Sequence, residues 1–168
     1  MPETPPPPVT RTPRHYYEDL EIGARVTLGT ARVTADEIIA FATAFDPQPM
    51  HLDPVAARDT MVGQLCASGF HSCAILMRMI CDGFLLDAAS LGSPGMEEVR
   101  WLKPVLPDQP LAAHFTTLSK RPLASRPGVG LARMQFEMTA DDGSVLMTWD
   151  TGQFLAMRPA AAAPAAGA

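Results

Sequence analysis

From Phe70 to Ala88 the chain runs the length of a helix with apolar residues on nearly every side, among them Ala74, Ile75, Met77, Met79, Ile80, Phe84, Leu85 and Leu86. A helix apolar around most of its circumference must be enclosed by other structure. Arg78 and Asp82 interrupt the run, and it is too short to span a bilayer. The enclosure therefore has to come from the rest of the protein.

That remainder reads as strands. Arg25 to Thr34 is rich in Val and Thr after an Ile22-Gly23 turn signal, and Met96 to Leu102 and Leu111 to Lys120 follow later. Ala132, Met134, Phe136 and Met138 alternate with Arg133, Gln135, Glu137 and Thr139, a period of two that belongs to a half-buried strand. Asp141-Asp142-Gly143 supplies a turn, and Val145 to Leu155 returns to complete an antiparallel hairpin. One enclosed helix and consecutive strands predict an α+β domain, its antiparallel sheet wrapped around the helix.

The ends do not contribute to that core. Met1 to Pro13 is proline-rich and Pro159 to Ala168 is Ala, Pro and Gly, too little apolar area to offset the entropy of ordering. The expected division is a tail over 1–14, one domain over 15–157 and a second tail over 158–168. A net charge of −5 with no basic stripe argues against a nucleic-acid partner. The N-terminus lacks the apolar region of a signal peptide, so neither export nor a membrane is expected. Cys66, Cys73 and Cys81 match no zinc spacing and read as reduced thiols of a cytoplasmic protein. No metal is expected, since His51, Asp53 and His71 also lack a zinc spacing.

Polar chemistry concentrates before the apolar helix. Thr34-Ala35-Asp36-Glu37 is a capping box, and the helix it starts carries Ile38, Phe41, Ala42 and Phe45 on one side. Pro47 and Pro49 then stop the helix, which predicts an ordered loop from Asp46 to Asp53 and a short helical piece over Pro54 to Thr60. Asp46 and His51 form a carboxylate–imidazole pair within that proline-braced loop, a combination suited to proton exchange near neutral pH. The same two residues also suit a turn cap and a hydrogen-bonded core histidine. Gly69 precedes the apolar helix, where free N–H groups could meet an oxyanion; it also suits a plain loop. His15 and His114 read as structural or exposed.

Asp46-Pro47-Gln48-Pro49-Met50-His51-Leu52-Asp53 resembles the motif of the MaoC-like dehydratases, the (R)-specific enoyl-CoA hydratases, which usually reads Gly-Asp-x-Asn-Pro-Leu/Ile-His-x-Asp. The segment from Gly69 resembles the family's His-Gly-Met at the head of its central helix. Gly95 to Val105, with Pro107-Asp108 beyond it, resembles the strand and turn that follow, so the likeness runs from about Tyr17 to Phe154. It implies a hotdog fold, a homodimer joined at sheet edges, and an acyl substrate carried on coenzyme A with no separate cofactor. It implies Asp46 and His51 as the acid–base pair and the Gly69 N–H as the donor to the thioester carbonyl.

Four departures lie in or beside the motif: Phe45 for glycine, Gln48 for asparagine, Ser68 for histidine, and His71 as an added titratable group. Phe45, Gln48, Met50, Ser68, Phe70, His71 and Arg100 are the expected substrate contacts. Met77 is a further candidate for the acyl pocket, and Lys103 and Arg126 for coenzyme A phosphates. A thioesterase or a non-catalytic acyl-binding subunit on the same fold are the alternatives to a hydro-lyase.

Overall fold

The structure is a computed structural model that describes residues 12–159. Strand β1 (Arg25–Ala31) leads through the Thr34 cap into helix α1 (Ala35–Phe45). A single helical turn, α2 (Pro49–Leu52), and a 3-10 turn (Ala56–Asp59) precede the central helix α3 (Gly69–Ile80), which continues as a π turn over Cys81–Leu85. Strands β2 (Ser90–Gly92), β3 (Met96–Trp101), β4 (Leu111–Pro122), β5 (Val129–Ala140) and β6 (Val145–Ala156) complete the chain.

The strands form one antiparallel sheet in the order β1-β4-β5-β6-β2, with β3 also pairing with β6. Alternation sends Leu111, Ala113 and Phe115 of β4 and Ala132, Met134, Phe136 and Met138 of β5 inward. They pack with Leu76, Met79 and Ile80 of α3 and with Phe84 in one core. The rings of Phe84, Phe115 and Phe136 run through it at 4.9 and 5.9 Å between neighbours. Gly83 lets the π turn press onto β1, because a Cβ there would strike the backbone of Leu28.

An N-terminal strap crosses the far end of β4 and β5. Lys120 Nζ donates to the carbonyls of Tyr17, Glu18 and Leu20 at 3.2, 3.1 and 2.6 Å. The Tyr17 ring lies against Gly130, where a side chain would collide with it.

Several sequence expectations need correction. The Asp46–Asp53 segment is not loop throughout: Pro49 restarts a helical turn because proline needs no N–H at the first helical position. The strand read to Thr34 ends at Ala31, and β2 carries too few residues for a pattern to show. The central helix is not covered on all sides: Phe70, Met77 and Leu86 are 68%, 38% and 53% exposed. The tails lie largely outside the described residues, but Arg14 and Arg158 belong to the domain. Arg14 N–H donates to the Asp87 carbonyl at 2.7 Å, and Arg158 meets Asp19 at 2.6 Å. No helix among the described residues is long and apolar enough to cross a membrane.

Candidate active site

The site forms where α1 stops. Pro47 disfavours helical backbone at the residue before it, and Asp46 becomes the C-cap, its N–H donating to Ala42 O at 2.9 Å. The chain turns back through Gln48, whose N–H reaches the Asp46 carbonyl at 2.8 Å, and re-enters helix at Pro49. Two residues on, His51 points into the protein, only 7% exposed. Asp46 Oδ2 and His51 Nε2 are 3.7 Å apart.

Each member of the pair is held from behind. His51 Nδ1 lies 2.8 Å from the Cys66 carbonyl. A carbonyl only accepts, so Nδ1 carries a proton, and in the neutral tautomer this leaves the Nε2 lone pair on the side of Asp46. Asp46 Oδ1 accepts from Gln48 Nε2 at 2.7 Å, and Oδ2 accepts from the Ser68 hydroxyl at 2.6 Å. These bonds, Ser68 first and Gln48 second, hold the Asp46 carboxyl below the usual carboxylate range. The site thus sets a carboxylate and an imidazole nitrogen 3.7 Å apart, each held by hydrogen bonds on its other side.

Gly69 is the first residue of α3, so its N–H has no partner within the helix. It sits next in sequence to Ser68 and therefore beside the pair. Trp101 covers it: the indole Nε1–H donates to Gly69 O at 2.9 Å, and a Cβ at residue 69 would lie 2.8 Å from the ring.

The other expected contacts divide. Phe45 is 75% exposed beside Asp46, its ring 5.0 Å from Phe41. Met50 lies on α2 and accepts the Cys66 N–H through its carbonyl. Phe70 stands exposed against the edge of Trp101. Ser68 is not available to a ligand: it is fully buried and its hydroxyl is committed to Asp46. Arg100 pairs with Glu98 of its own strand at 2.8 Å and makes no contact with the pair. Asp53 is structural, its Oδ1 accepting from Val55 N–H at 2.7 Å. Among the described residues no group of His, Cys, Asp and Glu could hold a metal ion.

His71 stacks on Phe41 with ring centres 4.4 Å apart, and its buried Nδ1 has no hydrogen-bond partner. Both rings line a cavity of about 600 Å³ between β1, α1 and α3, with Ile75 and Met79 lining it further along α3. Asp46, His51 and Gly69 do not line it, so the chemistry of the pair lies outside this cavity. Sequence reasoning missed the Cys66 carbonyl and Trp101 as parts of the site. A backbone acceptor leaves no mark on residue type, and Trp101 is far from Gly69 along the chain.

The geometry has counterparts. A MaoC-like domain model matches residues 19–134. The uncharacterized protein YdeM of Bacillus subtilis is 32% identical over 113 residues, which cover 67% of this chain and 79% of that protein. The crystal structure of a MaoC-like dehydratase from Rhodospirillum rubrum superposes with a TM-score of 0.81 at 36% identity, covering 86% of this chain and 99% of its own. An unliganded R-hydratase, PhaJ1 of Pseudomonas aeruginosa, shares the fold at a TM-score of 0.65 and 21% identity, over 91% of this chain and 96% of its own. The matched segment contains the Asp46–His51 turn and the whole of α3, and on that ground the chain belongs to the MaoC-like family, on the hotdog fold.

Proposed function

We propose that this protein is a hydro-lyase that adds or removes water across the α,β double bond of an enoyl thioester carried on coenzyme A. The observation that carries the reading is the 3.7 Å gap between Asp46 Oδ2 and His51 Nε2, both hydrogen-bond acceptors, beside the N-terminus of α3. A water bridging the two from one side donates one hydrogen to each and turns its lone pairs away from them. The thioester carbonyl accepts the Gly69 N–H, which stabilises enolate-like charge as the water oxygen attacks Cβ. His51 takes the proton that the water loses, the Asp46 anion stabilises the resulting imidazolium, and that proton passes to Cα. Dehydration is the reverse sequence, and the dehydratase and hydratase named among the structural relatives support this class.

Phe45, Met50 and Phe70, next to the pair and to Gly69 in the chain, are the candidate acyl contacts in this reading, while His71 faces the separate cavity beside Phe41 and Met77 lies further along α3. Arg100 and Lys103, on either side of Trp101 and Leu102, are the candidates for coenzyme A phosphates in this reading, whereas Arg126 lies in the β4–β5 hairpin at the other end of the sheet. Two copies join at the β3 edge, where Met96 and Trp101 are 59% and 50% exposed beside the open face of α3. Three free thiols fit a reducing compartment, the cytoplasm.

Crotonyl-CoA tests the proposal. The native protein is expected to consume enoyl absorbance without releasing thiol. Asp46→Asn and His51→Gln should each lower the rate by about 10²–10⁴ with the circular dichroism spectrum unchanged. Thiol release in place of hydration would establish a thioesterase; binding without turnover, indifferent to Asp46→Asn, would establish an acyl-binding subunit.

A further inference from the structure

The Ser68 hydroxyl has a single proton and two neighbours that decide where it points. Phe70 N–H donates into the Ser68 oxygen at 3.2 Å. The proton must therefore face Asp46 Oδ2, 2.6 Å away. That oxygen is also the one facing His51 Nε2. Ser68 has no exposed surface, so no ligand or solvent competes for the bond. Its backbone is fixed as well, as the cap of α3, with the Ser72 N–H on its carbonyl at 2.9 Å.

We infer that Ser68 is a positioning residue that keeps Asp46 Oδ2 an acceptor only, so that the proton taken from water is carried by His51 and not by Asp46. The inference rests on the hydratase reading above. Two donors on different oxygens, Ser68 on Oδ2 and Gln48 on Oδ1, fix the plane of the carboxylate. Only Ser68 is built into the frame of α3, because Gln48 is an exposed side chain. A hydrogen bond to Oδ2 lowers its basicity on the side that faces His51, and it is the foremost of the contacts that hold the Asp46 carboxyl below the usual range. The residue that seats the Asp46 carboxylate is thus the cap of the helix whose first N–H donates to the carbonyl in this reading. The Asp46 carboxylate and the Gly69 N–H are fixed from adjacent residues of one helix start.

Ser68→Ala separates positioning from helix capping. Expected with crotonyl-CoA is a kcat lower by about tenfold to a hundredfold, the loss typical of a misplaced group, with KM changed by no more than about twofold. The carboxyl carbon of Asp46, followed by NMR in aspartate-labelled protein, should titrate at higher pH in the variant than in the native chain. Ser68→Cys keeps the size with a weaker donor and should fall between the two in both readouts, carrying the test if Ser68→Ala does not fold. A variant with a lower melting temperature but native kcat and native Asp46 titration would overturn the inference, leaving Ser68 as a cap alone. Absence of hydration by the native protein would instead overturn the functional reading, while the NMR titration still decides the Ser68–Asp46 coupling.

Discussion

Trp101 and Gly69 meet as a lid and a seat: the indole N–H holds the Gly69 carbonyl at 2.9 Å, and the ring occupies the space a side chain on residue 69 would need. Glycine is therefore required here by the packing of a residue on β3, apart from any need of a ligand. Gly69→Ala would have to displace a large planar ring already edged by Phe70 at 6.0 Å. We expect a loss of about 1–3 kcal/mol of stability, as for other overpacked sites. Trp101→Ala removes the obstacle, so the same substitution in that background should cost clearly less. A double-mutant cycle by urea denaturation reads the coupling; additive losses would mean that the ring is not what excludes the methyl group.

Gly83 presents a harder obstacle. The atoms that a Cβ would strike there belong to the backbone of Leu28 in β1, which cannot rotate aside. Gly83→Ala is expected to lower stability by about 2 kcal/mol or more, beyond any gain in helix propensity of up to about 1 kcal/mol. Thermal melts check this, and a variant as stable as the native protein would show that the π turn can lift from β1.

Two histidines link stability to pH. Burial, opposed by the charge of Glu37, holds the His71 ring below the ordinary value; burial, assisted by Arg25, does the same for His114. The unfolded chain binds their protons at about pH 6.5 while the folded chain still resists. Their contribution is therefore complete above that pH and is lost as the pH falls through the lower folded-state values. Urea midpoints should drop between pH 7 and pH 5, and His71→Gln should flatten the slope. An unchanged slope would show that the stacked ring against Phe41 takes up its proton without cost.

The Thr34–Glu37 box is formed in full. Thr34 Oγ1 accepts the Glu37 N–H at 3.2 Å, and Glu37 Oε2 accepts the Thr34 N–H at 2.8 Å. Thr34→Ala should cost about 1 kcal/mol, measured by denaturant titration. Because α1 ends at Asp46, a fall in hydration rate beyond the loss of folded protein would show that the cap also steadies the Asp46 carboxylate.

What the sequence disclosed depended on how local each cause was. The period of two through Ala132–Met138 announced β5, and the Thr34 box announced α1, because both are written in neighbouring residues. The pair at Asp46 and His51 was visible because two prolines framed it. Pro49 misled because the rule against proline inside a helix does not apply at its first position. Phe70 and Met77 misled because hydrophobic periodicity marks which faces are apolar, not whether this chain covers them. The roles of Ser68, Cys66 and Trp101 arise from folding alone. Two are bonds across the site to a side chain or a carbonyl, and the third is a ring brought from β3.

Lys120 has a consequence of another kind. All three protons of its ammonium group are taken by the carbonyls of Tyr17, Glu18 and Leu20, an arrangement in which the side chain does the work of a bound alkali ion. The strap is thus fastened by a charge the chain carries with it, whatever salts surround it. The clasp is a side chain of β4 itself, so the segment before β1 is tied to the sheet it crosses by a part of that sheet.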